Sequence, residues 1–113
     1  MRVVHEEGDA VLATHVEVAD SLFETFRGLR LRRSLPADGA LVFRFGSIRQ
    51  RDVDMLLVAF PIDVLWLVDD RVERVDTLRA WFDLALARAD TLVELPAGTA
   101  AGVSPGDAVR IEE

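Results

Sequence analysis

The sequence has 113 residues, which fits one domain spanning residues 1–113, and half of them are hydrophobic. It has no cysteine, which excludes disulfides, thiolate catalysis and cysteine metal sites. The two histidines, His5 and His15, do not have metal-ligand spacing, so we predict no metal and no cofactor. No apolar run reaches the ~18 residues of a membrane span, and no signal-peptide pattern is present, so we expect a cytoplasmic protein.

The charge pattern is unusual, because the net charge is -7 and all 13 basic residues are arginine. Dense carboxylates without lysine indicate adaptation to high salt, whereas a GC-rich genome would explain the arginines without it. In either case the net acidity argues against nucleic acid as a partner.

The halophilic composition leads to a prediction about salt. Because salt screens repulsion among surface carboxylates, we expect the melting temperature to rise between dilute buffer and molar KCl. A thermal melt across that range checks this, and a flat or falling melting temperature would remove the halophilic interpretation.

The N-terminal region predicts a hairpin. Residues 2–7 and 10–18 are rich in β-branched residues, and Gly8-Asp9 between them is a two-residue turn signal. Alternation in the second segment places Leu12 on the core face and His15 outward.

Residues 20–31 predict the main helix. Ser21 and Glu24 have capping-box spacing, and Leu22, Phe26 and Leu29 form an apolar stripe. Arginines at its C-terminal end complement the helix dipole.

The rest of the chain predicts strands at 40–45, 52–60, 62–68 and 71–80, with Asp69-Asp70 as a tight turn. A further strand is predicted in "TLVELP" and another at the C-terminus. The predicted class is therefore α+β: about seven or eight mostly antiparallel strands, in a sheet or small open barrel, packed with one main helix.

Several motifs together resemble a known family. "FRGLRLRRSLPADGALVFRF", "MLLVAFPIDVLWLVDDRVERV", "LRAWF" and "LVELPAGTAAGVSPGDAV" occur in the order and spacing of the domain of unknown function 192, over about residues 14–111. The resemblance implies a compact strand-rich domain but no activity, and the acidic composition makes this chain similar to a haloarchaeal member. This chain departs from the family at several positions. Asp54 stands where similar members carry a histidine or an aromatic residue, and Ala59 stands where they carry a basic or amide residue. Arg30 stands in place of their methionine.

Asp63 is the one carboxylate in the interior of the run 54–68, between Pro61-Ile62 and a strand that is apolar on both faces. A buried carboxylate has to be paired, neutralised or used. We predict that an arginine holds it, and Arg27 is the first choice because an arginine can bind a carboxylate through two hydrogen bonds. The pair would be a structural salt bridge or the polar floor of a pocket.

Arg27 and Arg30 lie one helical turn apart, within a cluster of four arginines at 27–33. Such a cluster can hold an anion, or it can neutralise the many carboxylates of this chain. With Asp54, Asp63 and Trp81 they form our candidate ligand site, with Trp81 as an apolar wall.

We predict an uncharacterised, non-enzymatic binding or interaction module, monomeric or weakly dimeric, with an arginine-containing cleft for a small anionic ligand and no catalytic residue. The alternative is a hydrolytic or transfer enzyme that uses Asp63 or Asp54 with Arg27. No Ser–His pair, phosphate-binding glycine loop or histidine near the arginines supports the enzyme.

Overall fold

The computed structural model describes residues 1–19, 28–30 and 32–113. Eight strands account for most of them. They are β1 (Arg2–His5), β2 (Ala10–Ala13), β3 (His15–Ala19), β4 (Gly39–Asp54), β5 (Ile62–Val68), β6 (Arg71–Leu78), β7 (Leu84–Pro96) and β8 (Val109–Glu112). No described segment forms an apolar helix of membrane-spanning length.

The strands form two open sheets, one of three strands in the order β2-β1-β8 and one of five in the order β3-β4-β7-β5-β6. β3 and β4 run parallel, and the other described strand pairs are antiparallel. The predicted N-terminal hairpin is present as β1 and β2, and His15 is exposed as predicted. The predicted second strand, 10–18, is wrong as one element, because it is divided at Thr14 into β2 and β3, which lie in different sheets. Asp69 and Asp70 form the predicted turn between β5 and β6, both with positive φ.

The predicted α+β class is wrong for the described residues, which form strands and turns but no helix. Most of the predicted helix, at 20–27 and 31, lies outside the described residues. Where the prediction can be compared, residues 28–30 form a turn, and Gly28 has a φ of 49°. That left-handed conformation is easy for glycine and incompatible with a continuing α-helix.

β4 is one strand of 16 residues, whereas the sequence predicted separate strands at 40–45 and 52–60. Its register against β7 shifts between Arg44 and Arg49, and Gly46 there has a φ of 74°. The exposed polar residues of this bend imitate a loop in sequence, although the strand continues beyond it. Residues 55–60, predicted to extend a strand, form a turn region in which Leu57 has a φ of 61°.

The five-stranded sheet has an apolar cluster on each face. Val64 and Trp66 belong to one cluster and Leu65 and Leu67 to the other, so β5 is buried on both faces. The cluster that contains Trp66 also contains Leu29 from the 28–30 turn. This turn and the bent β4 arm therefore cover the same face of the sheet, and the site described next lies between them.

Candidate functional site

A cavity of about 270 Å³ lies on this face of the sheet. The 28–30 turn, both halves of β4 and β7 form its walls. It is lined by Gly28, Leu29, Arg30, Phe43, Phe45, Gln50, Arg51, Asp52, Val53, Asp54, Met55, Val58, Ile62, Leu92 and Glu94. The cavity thus combines apolar side chains with several polar and charged groups that converge on one space, and such convergent polar groups are a feature of small-molecule sites.

Glu94 is the buried carboxyl group of this cavity. It lies on the central strand β7, where its register partners are Leu41 on β4 and Val64 on β5, both in the same apolar cluster. The residue is only 7% exposed, and the described residues give its carboxyl group no hydrogen bond. Burial raises the pKa of Glu94 to about 7, with Asp54 raising it further and Arg30 and Arg32 lowering it. Its charge therefore changes near neutral pH.

Arg30 and Asp54 form an ion pair at the cavity wall. One terminal guanidinium nitrogen of Arg30 lies 2.6 Å from each carboxylate oxygen of Asp54. The Asp54 carboxylate also accepts a hydrogen bond from the backbone N–H of Leu56 at 3.1 Å. Nearby, Arg32 binds Glu17 at 2.9 Å. Arg30 and Arg32 thus have carboxylate partners before any ligand arrives.

Arg51 is held by groups other than carboxylates. Its guanidinium lies 3.9 Å from the centre of the Phe45 ring and donates to the backbone oxygens of Ser47 at 2.8 Å and Ala89 at 3.3 Å. Burial and the neighbouring Arg49 lower the pKa of Arg51. These contacts fix Arg51 as part of the wall, since its donors are directed at the backbone of the bent arm.

Asp63 is buried, at 2% exposure, but its described partners are not arginines. Its carboxylate accepts hydrogen bonds from Thr77 Oγ1 at 2.7 Å, from Gly98 N at 3.0 Å and from Ala100 N at 2.8 Å. Arg27, the predicted partner, lies outside the described residues. Asp63 therefore ties β5 to β6 and to the turn after β7, which is a structural role.

Trp81 is half-exposed, at 51%, with a φ of 72°, and its backbone N–H donates to the oxygen of Val58 at 3.1 Å. It stands beside the cavity wall but is not among the described lining residues. The segments around it expose other large apolar side chains. These are Leu56, Leu57, Phe82, Leu84 and Leu86.

One group of side chains has the composition of a metal site. His5, Glu7 and Asp107 bring an imidazole and two carboxylates within 4.8 Å of one another. However, His5 Nε2 lies 2.8 Å from Asp107, and Glu7 and Asp107 also accept backbone N–H groups of Ala108 and Ser104. These bonds connect β1 with the turn before β8, and we interpret the group as structural.

The structure brings two of the five predicted site residues, Arg30 and Asp54, into one cavity. The sequence analysis missed Glu94, which is the most deeply buried charge there. A signal was available, because "TLVELP" places one carboxylate between apolar residues of a strand. The reasoning applied to Asp63 would have selected it.

Comparisons with known proteins place the chain in a family. The sequence model of DUF192, described as "Uncharacterized ACR", matches residues 3–111. No curated protein matched the sequence.

Two solved structures share the fold. A chain from Sinorhizobium meliloti 1021, described as a candidate transcription regulator, is 25% identical with a TM-score of 0.79, over 96% of this chain and 89% of that one. A protein of unknown function from Novosphingobium aromaticivorans is 23% identical with a TM-score of 0.82, over 97% of this chain and 82% of that one. Since the DUF192 match spans nearly the whole chain, the protein belongs to the DUF192 family.

Proposed function

We propose that this domain binds a small molecule in the cavity above Glu94 and does not transform it. The observation that carries the proposal is a buried carboxyl group that faces a cavity and has no hydrogen bond from the described residues. Ionising a largely buried carboxyl group costs free energy, and a ligand that donates a hydrogen bond to it would lower that cost.

The alternative, an enzyme that uses Asp63 or Asp54 with Arg27, has less support. The three hydrogen bonds to Asp63 explain its burial without chemistry. Asp54 is paired with Arg30 and would have to leave it to act as a base. Binding requires neither rearrangement.

Regulation of transcription, which is the description of the Sinorhizobium protein, would have to operate without direct DNA contact in this chain. A net charge of -7 repels the phosphate backbone. Small-molecule binding is compatible with such a role and does not depend on it.

The proposal predicts where a small neutral probe binds. Benzyl alcohol combines an apolar ring with one hydroxyl group, which suits the apolar wall and a carboxyl group. We expect its titration to shift the backbone amide NMR signals of lining residues such as Phe43, Met55 and Leu92. Signals on β6 should not move.

A cavity-filling variant provides the control. Val58→Phe adds a ring to a buried lining residue and should remove the effect of benzyl alcohol, whereas Val75→Phe on β6 should preserve it. Both variants are first compared with the wild type by melting temperature. Shifts that are absent at saturating probe, or that survive in folded Val58→Phe, would reject the cavity as the binding site.

A further inference from the structure

We infer that the ligand of this cavity carries a protonated amine and places that nitrogen on the Glu94 carboxylate. The inference deepens the proposed function and rests on it. It also reverses the charge expected from the sequence, where the cluster of arginines favoured an anionic ligand.

The first argument is the balance of charge around Glu94. Among the described residues, three charged groups act on its carboxyl group: Arg30, Arg32 and Asp54. Arg30 is bound by Asp54, and Arg32 by Glu17. Each of these two arginines therefore already has a carboxylate partner, and ionised Glu94 adds a further negative charge to the described part of the site.

The other charged lining residues do not change this result. Arg51 donates to backbone oxygens and stacks on Phe45, while Asp52 is exposed to solvent. An anion entering the cavity would have to take Arg30 from Asp54 while facing Glu94. A cation meets the Glu94 carboxylate, which lacks a described partner, and leaves the Arg30–Asp54 pair intact. The attraction to Glu94 and the preserved ion pair therefore both favour a cation over an anion.

The walls indicate what the amine is attached to. Phe43 and Phe45 stack nearly parallel, with ring centres 6.3 Å apart and 7° between the ring planes. Met55, Ile62 and Leu92 add aliphatic surface. At about 270 Å³ the cavity is below the ~300–1,000 Å³ typical of drug-sized ligands, so a small apolar body with one amine fits its size.

The pH dependence of binding distinguishes a cation from an anion. Burial holds the pKa of Glu94 at about 7, and an alkylammonium ion keeps its proton well above that pH. Binding of an amine to ionised Glu94 should therefore strengthen about tenfold from pH 6 to pH 8. Binding of an anion should weaken over the same range, because it favours the protonated carboxyl group.

The experiment compares three probes of matched shape: benzylamine, benzyl alcohol and benzoate. Each is titrated at pH 6 and pH 8 at constant ionic strength, with the amide signals of the lining residues as the readout. We expect benzylamine to bind more tightly at pH 8 and more tightly than benzoate there. Glu94→Gln should abolish the pH dependence of benzylamine binding and keep binding of benzyl alcohol. Glu73→Gln, an exposed change of equal charge on β6, should behave as the wild type.

The outcomes separate this inference from the proposed function. Benzoate binding in the cavity more tightly than benzylamine, or benzylamine binding that is unchanged in Glu94→Gln, would overturn the amine assignment and leave the cavity as a binding site. If none of the three probes shifts a lining signal, the proposed function fails and the inference fails with it.

Discussion

Glu94→Gln should leave stability nearly unchanged at pH 4 and increase it at pH 8. The pKa of Glu94 is about 7 in the folded protein, against 4.5 for the ordinary group, so the folded state holds this proton more tightly than the unfolded state. The stability that Glu94 contributes is thus fully present below about pH 4.5 and is lost as pH rises through 7. At about 1.4 kcal/mol per pH unit, the whole difference is about 3 kcal/mol.

Urea denaturation of both proteins between pH 4 and pH 8 measures this difference. Subtracting the two curves removes the titration of all other groups, because glutamine has nearly the same shape and no proton to lose. Glu73→Gln serves as the control, since Glu73 is exposed and lies on β6, outside the cavity lining. If the wild type and Glu94→Gln keep the same separation across this range, the Glu94 carboxylate is solvated or paired, and the electrostatic basis of the site is wrong.

This prediction connects stability with binding. The ionised carboxylate of Glu94 destabilises the ligand-free wild type above neutral pH, whereas a glutamine of equal size at this position would not. Residues that serve a binding site commonly reduce stability in this way. A ligand that pairs with Glu94 should therefore raise the melting temperature more at pH 8 than at pH 6.

The sequence predicted the strands wherever one local signal dominated. β5 was predicted at its observed bounds, because a run of β-branched and aliphatic residues ends at the turn-forming pair Asp69-Asp70. β4 was divided in two because its polar middle looks like a loop in sequence. That middle lies beyond the core, in an arm where β4 and β7 pair with each other and exposed polar side chains carry no penalty.

The charge partners in the site could not be predicted from spacing alone. The sequence suggested Arg27 for Asp63 because arginine is the usual partner of a buried carboxylate. The described partners are instead the hydroxyl of Thr77 and two backbone N–H groups that lie 35 and 37 residues further along the chain. Every residue has such a group, so its direction depends on how the turn after β7 folds. Gly98, with a φ of 93°, shapes that turn.

The same turn connects two segments of the family resemblance. "PIDV" supplies Asp63, and "ELPAGTA" supplies both backbone N–H groups that it accepts as well as Glu94, which faces the cavity. The structural carboxylate of Asp63 thus binds one end of the segment 94–100, and Glu94, the candidate binding residue, lies at its other end.

Replacing Asp63 by alanine should destabilise the protein by about 3 kcal/mol or more. The change leaves the buried N–H of Ala100 and the part-buried N–H of Gly98 without an acceptor and removes the acceptor of Thr77 Oγ1, and each buried group left unpaired costs about 1–3 kcal/mol. Asp63→Asn should cost less, about 2 kcal/mol, because its amide oxygen can still accept from Gly98 and Ala100 but without the strength of a charged acceptor. Thr77→Val, which removes one donor, should cost about 1 kcal/mol.

Urea denaturation of the three variants tests this order, with Asp76→Ala as the matched control. Asp76 binds Arg74 on the protein surface at 2.7 Å, and exposed pairs of this kind contribute about 1 kcal/mol or less. If an arginine rather than the turn held Asp63, the order would differ. Asp63→Asn would then cost more stability than expected here, because it leaves a buried guanidinium facing an amide, and Thr77→Val would have no effect. A loss below 1 kcal/mol in Asp63→Ala would show that the turn after β7 does not need this carboxylate.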